Sequence, residues 1–131
     1  MGSFSDLIEN KILEHAVGKT QWTFPTNVYV GLFTSACSDA SPGTEVSGGS
    51  YARKQTSGVD WSAASGGALS NAVELAFVEA TDAWGLVTHF ALFDAASGGT
   101  YIGWGTLGTS KQIDSGDQAK FAAGDLDLTQ D

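Results

Sequence analysis

Trp84-Gly85-Leu86-Val87-Thr88-His89-Phe90-Ala91-Leu92-Phe93, then Ser97-Gly98-Gly99, then Tyr101-Ile102-Gly103-Trp104: the order of these three pieces decides the fold. The flanking runs are rich in the aromatic and β-branched residues that suit a pleated surface. Glycine enters positive φ without steric cost, so Gly-Gly between two such runs reads as a turn joining strands. The same cassette recurs at Ser47-Gly48-Gly49 and Ser65-Gly66-Gly67. Ala-Ala-Ser-Gly-Gly stands at 63–67 and 95–99 with unrelated flanks, which marks shared turn chemistry and not a duplicated module.

Working outward, Val28, Val30 and Leu32 alternate with Tyr29, Gly31 and Phe33 after Pro25, apolar on both faces. Such a strand is central in a layered fold or meets another chain on one face. Residues 34–50 follow as a loop of Ser, Gly, Ala and acids broken by Pro42. Loops of this length tend to be functional or partly disordered, and the expectation is a flexible arm able to reach a neighbour. Further strands are expected at 51–61 (broken at Ser57-Gly58), at 68–78 through Val73, Leu75 and Phe77, and at 84–93. Others run from Tyr101 to Leu107, around Lys111-Gln112-Ile113 and, past Asp114-Ser115-Gly116-Asp117, at Phe121 and Leu126-Asp127-Leu128. About seven or eight short strands at this spacing predict an all-β fold, β-sandwich or jelly-roll-like.

One short N-terminal α-helix completes the expectation, over about residues 5–17. Ser3 or Ser5 can cap it, Asp6 and Glu9 sit in its first turn, and Gly18 ends it. Phe4, Ile8, Ile12 and Ala16 recur at spacing four, with Leu7, Leu13 and Val17 widening the stripe. His15 falls in the last turn, where a protonated imidazole complements the helix dipole.

With 131 residues the chain reads as one domain spanning 1–131, large enough to bury its own core without staples. Charged residues make up 16% of it, below the usual quarter, which suits a surface packed against neighbours and equally an ordinary β-domain. Six Lys and Arg against fifteen Asp and Glu give a net charge of −9, and no basic cluster offsets it, so nucleic-acid binding is not expected. No run approaches the ~18 apolar residues of a membrane span, and no secretory signal is visible. The expectation is a soluble chain made in a reducing compartment. The single Cys37 excludes an intrachain disulfide and a cysteine-based zinc site, and reads as a loop residue.

His15 and His89 form no His-Glu-x-x-His arrangement, and neither a Gly-x-Ser-x-Gly elbow nor a phosphate-binding Gly-x-x-x-x-Gly-Lys occurs. His89, in an apolar strand, reads as a core or interface histidine. Gly103-Trp104-Gly105 precedes no helix pattern, so its glycines read as room for a neighbouring aromatic or backbone. Asp114 with Asp117, and Asp125 with Asp127, could offer oxygens to calcium, but turn capping by Asp is the commoner use. The expectation is no catalytic residue, no cofactor, no metal and no enzyme. Trp22, Trp61, Trp84 and Trp104 read as core or interface anchors, with exposed sugar platforms as the alternative.

Several stretches together resemble a family of small structural proteins of tailed bacteriophages, whose members are commonly labelled tail fibre or virion structural proteins. They are Val28-Tyr29-Val30-Gly31-Leu32-Phe33-Thr34, the distinctive Thr44-Glu45-Val46-Ser47-Gly48-Gly49-Ser50-Tyr51-Ala52-Arg53, and Trp84-Gly85. Thr88-His89-Phe90-Ala91-Leu92-Phe93-Asp94, Gly103-Trp104-Gly105, Ser115-Gly116-Asp117 and Phe121-Ala122-Ala123-Gly124 continue it over nearly the whole chain. Cys37 departs from the Ala-Pro expected near that point. The resemblance implies a virion component, made in the host cytoplasm, and carries over no catalytic or ligand residue.

Small size, a β-domain, the long loop and an apolar helix lead to a capsid decoration (cement) protein as the first expectation. It would form a homotrimer on the capsid exterior and bridge subunits of the major capsid protein. The alternative is a tail-tip, baseplate or tail-fibre-associated subunit contacting other tail proteins. A third reading is a carbohydrate-binding module used in host adsorption. The candidate assembly interface is Phe4, Ile8, Ile12, Tyr29, Phe33 and Trp104.

Overall fold

Ser5 stands in extended backbone with its Oγ accepting from the Ile8 N–H, and this cap starts helix α1 (Asp6–Ala16). The computed structural model describes residues 2–130; Met1 and Asp131, the ends of the expected 1–131 domain, lie outside the described residues. Ser3, the other expected cap, belongs instead to a three-residue strand, β1 (Gly2–Phe4), too short to be read from periodicity. The apolar stripe of α1 is narrower than expected. Ile8 is buried and Ile12 half-buried, whereas Leu7, Leu13 and Val17 are 51%, 65% and 80% exposed. A helix lying on the sheet buries only one arc of its circumference, and Leu13 and Val17 fall outside it.

The strands are β2 (Val28–Phe33), β3 (Lys54–Thr56), β4 (Ala68–Ser70), β5 (Leu75–Glu79), β6 (Gly85–Phe93), β7 (Tyr101–Ile113), β8 (Gln118–Phe121) and β9 (Asp127–Thr129). Five of them form an antiparallel sheet in the order β1-β7-β6-β2-β3. Two antiparallel ribbons, β4-β9 and β5-β8, accompany it. Val30, Leu32, Phe90, Leu92 and Ile102 of the sheet join Phe77, Phe121, Leu126 and Leu128 of the ribbon side in one core, which Ile8 of α1 completes. The architecture is all-β and sandwich-like, with one short helix. Strand alternation sends the other side chains of β2 and β6 to the opposite face, where Phe33, Cys37, Ala91 and Phe93 make a second, smaller cluster.

Three expected segments differ. Residues 68–78 are two strands in separate ribbons, because buried Asn71 turns the chain between them. Its Nδ2 donates to the carbonyls of Val73 and Ala122, and its Oδ1 accepts from the Leu126 N–H. The two strands expected between Tyr101 and Ile113 are one long strand. Its register against β6 steps from His89↔Thr106 to Val87↔Lys111, so residues 107–110 bulge out opposite Thr88.

The segment 34–50 is no free arm. It folds back on its own sheet through Thr34 N–H to Thr44 O, Val46 N–H to Leu32 O and a bridge between Phe33 and Glu45, with Cys37 and Val46 buried beneath it. The Ser-Gly-Gly cassettes are turns as expected, all six of their glycines lying at φ between 58° and 79°. Gly105 gives room to an aromatic: a side chain there would collide with the Phe90 ring.

Candidate functional site

The outer face of the large sheet carries the densest chemistry. Register places Tyr29 and Phe33 of β2 opposite Phe93 and His89 of β6, and Ala91 of β6 opposite Trp104 of β7. Phe33 and Phe93 stack at 6.1 Å, and Tyr101 lies 5.8 Å from Phe93. The long loop closes over this patch and is pinned at its tip. Tyr101 Oη donates to Ser38 O at 2.7 Å, Trp104 Nε1 donates to Asp39 Oδ1 at 2.8 Å, and Ser3 Oγ donates to the same oxygen at 2.5 Å. Donation from Ser3 and Trp104 favours the carboxylate and holds Asp39 below its ordinary value. Burial pushes the Tyr101 phenol up.

The far limb of the loop holds a half-buried polar knot. Arg53 Nε and Nη2 each donate at 2.9 Å to the two oxygens of Glu45, a bidentate fork, and Nη1 donates to the carbonyls of Ala95 and Gly98. The guanidinium also lies 3.7 Å from the centre of the Phe93 ring. Tyr51 Oη donates to Glu45 Oε2 at 2.6 Å and accepts from the Leu32 N–H at 2.9 Å. Burial, and then the Glu45 acceptor, drive the Tyr51 phenol far up. Trp84 packs edge-on against Tyr51 and donates through Nε1 to Gly49 O. The Thr44–Arg53 block therefore closes the loop and joins it to β2 and to the 94–99 turn.

Of the six residues expected at an assembly interface, Ile8 and Phe33 are each 1% exposed and packed inside this chain. Phe4, Ile12, Tyr29 and Trp104 are half-buried and keep part of their surface in water. They are not one patch: Phe4 and Ile12 pack against the main core, whereas Trp104 packs on the outer-face cluster. Large apolar side chains left exposed outside that set include Leu13, Val17 and Phe24, the last 79% exposed; the first two were expected in the apolar stripe of the helix.

Cys37 is a loop residue, but buried, and burial pushes its thiol up, away from the thiolate a nucleophile needs. His89 Nδ1 shares a 2.7 Å hydrogen bond with Thr88 Oγ1, and burial pulls its pKa down. His15 Nδ1 accepts from the Trp22 N–H at 3.0 Å. The ring, in the last turn of α1 as expected, thus holds the start of the next segment. Asp117 accepts from the Asp114 N–H and Asp125 from the Ala122 N–H, so both act as turn caps. Asp6, Glu9 and Asp39 bring carboxylate oxygens within 4.8 Å of one another at the loop tip. Among the described residues, no helix is long and apolar enough to cross a membrane.

A family model described as podophage GP4 fiber I protein gp80 matches residues 3–129. The match takes in nearly the whole chain, and the chain belongs to this family of phage structural proteins, which makes it a virion component. No curated protein matches it.

Proposed function

We propose that this member of the podophage fibre family is a tail-fibre-associated structural subunit, held in the virion by contacts with other tail proteins. The observation that carries the reading is the family match over residues 3–129. Two structural features support it. The surface is poor in charge, and Leu13, Val17 and Phe24 stay mostly in water after folding, which suits a subunit completed by a neighbour. The loop expected as a flexible arm toward a neighbour is tied to its own chain at Asp39 and Glu45, which takes away one of the features that suggested a cement protein.

A reconstruction of the intact virion, with separated tails and heads probed by antibody, tests this. Density for the chain in the fibre or its attachment point, and antibody signal on isolated tails, is the expected result. Copies found on the head shell alone would overturn the fibre reading and restore capsid decoration.

A further inference from the structure

Residues 18–27 join α1 to β2 as a strap without regular structure, and the strap is thinly attached. Its first part is tied to the helix end, where the Lys19 and Thr20 N–H groups both donate to Glu14 O. Beyond that point, residues 21–26 make one hydrogen bond among the described residues: the Trp22 N–H donates to His15 Nδ1 at 3.0 Å. The half-buried Trp22 ring packs against the main core. Every other side chain from Lys19 to Phe24 is exposed.

Only a ring nitrogen without a proton can accept a backbone N–H. The bond to Trp22 therefore belongs to the neutral imidazole. Protonation puts an N–H on both nitrogens, and the Trp22 N–H then faces a donor. The charged ring has a different partner at hand. His15 stands in the last turn of α1, where the terminal carbonyls favour a cation. Two groups thus compete for one ring, the Trp22 N–H for its neutral form and the helix end for its charged form. The charged groups on the elements packed here are Lys11 and Glu14 of α1, Lys19 of the strap and Asp94 of the β6–β7 turn, two of each sign. Among the described residues His15 makes no ion pair with either carboxylate.

We propose that His15 is an acid-released latch on the 18–27 strap. With the ring neutral, the latch holds the Trp22 backbone and keeps the indole on the core. Protonation turns the ring toward the helix end, frees the Trp22 N–H and lets the strap lift as far back as Thr20. No second hydrogen bond holds residues 21–26, so one protonation suffices to release them. Histidine is the side chain that ordinarily changes charge between about pH 5 and 8, so mild acid is the trigger. The apolar surface of this part of the molecule then grows, because the Trp22 ring joins Leu13, Val17 and Phe24 in water. The device lies within one chain and works the same way in fibre or head.

The test is an NMR titration of the ¹⁵N-labelled protein from about pH 8 to about pH 5. The expected result is that the Trp22 backbone and indole cross-peaks move with the midpoint of the His15 ring signal, while the Trp61 and Trp84 indole peaks stay in place. Below that midpoint the heteronuclear NOE of residues 21–26 should fall, as it does for a mobile segment. His89, whose ring lies 6.2 Å from Trp104, reports its own titration and serves as the internal control. His15→Gln keeps an acceptor oxygen but does not titrate, so the Trp22 step should vanish. His15→Ala removes the latch at every pH, and exchange of the Trp22 amide with solvent should quicken about fivefold or more, with the β2 and β6 peaks unmoved. Trp22 peaks that ignore the His15 midpoint, or a heteronuclear NOE that stays high in acid, overturn the proposal. So does a step that survives in His15→Gln, or unchanged exchange in His15→Ala.

Discussion

Gly31 and Glu45 compete for one space: a side-chain carbon on Gly31 would stand 2.8 Å from Glu45 Oε2. That oxygen cannot simply swing away, because Tyr51 Oη donates to it at 2.6 Å and Arg53 Nε at 2.9 Å. Phe33 Cε1 would be 3.2 Å away on another side. A glycine in mid-strand is ordinarily a weakness, and here it is the gap that admits the knot. Gly31→Ala is expected to destabilise the fold by about 1–3 kcal/mol through overpacking. Urea unfolding measures this as a lower midpoint at constant m; an unchanged midpoint would show that the knot is loose.

Arg53 is a stronger test of the same knot. Its side chain is 7% exposed, forks onto Glu45, serves two carbonyls and covers Phe93. Truncation leaves Glu45 without its countercharge and two carbonyls without donors, so Arg53→Ala should cost about 3 kcal/mol. Arg53→Lys keeps the charge but not the planar fork, and should recover less than half of the loss. Full recovery by lysine would reduce the knot to a point-charge attraction.

Gly105 and Phe90 face each other across β7 and β6, and the ring fills the place a Gly105 side chain would need. Gly105→Ala is expected to cost about 2 kcal/mol, as overpacking against a buried ring does. Phe90→Leu opens that place at a cost of its own, about 1–2 kcal/mol from the cavity. The double variant should be more stable than the sum of the two losses allows, because the alanine methyl enters the vacated volume. Strict additivity in this cycle would refute the contact.

The same residues show which parts of the fold were legible. Period-two runs and Gly-Gly turns expose β2, β6 and the start of β7 because those signals are local. The split at Asn71 is not local: it depends on carbonyls at Val73 and Ala122 and on the Leu126 N–H, which only the folded chain brings together. Continuity of β7 was hidden by Gly108-Thr109-Ser110, which reads as a break and is a bulge. The Thr44–Arg53 block stood out as distinctive without disclosing that Glu45, Tyr51 and Arg53 meet.

Asp39 and Trp104 give the fold a reporter in acid. The Ser3 hydroxyl and the Trp104 indole both donate to Asp39 Oδ1, and both bonds favour the ionised form, so the group titrates below its ordinary value. A carboxyl depressed in the folded state contributes stability above its unfolded value, near 3.9, and loses that contribution as pH falls through the folded value. The clasp at the loop tip is therefore intact at neutral pH and weakens only below about pH 4. The Trp104 indole N–H resonance should shift over that range, with a midpoint under about 3.9. His89, whose ring lies 6.2 Å from Trp104, also titrates nearby, and its lowered pKa has the same sign, its contribution fading as pH falls. Asp39→Asn separates the two: it keeps an acceptor oxygen for Ser3 and Trp104 but has no acid step, so the low-pH shift should vanish while any His89 shift persists. A midpoint at or above the free-carboxyl value, or a low-pH step that survives in Asp39→Asn, would show that the loop tip is not held by this carboxylate.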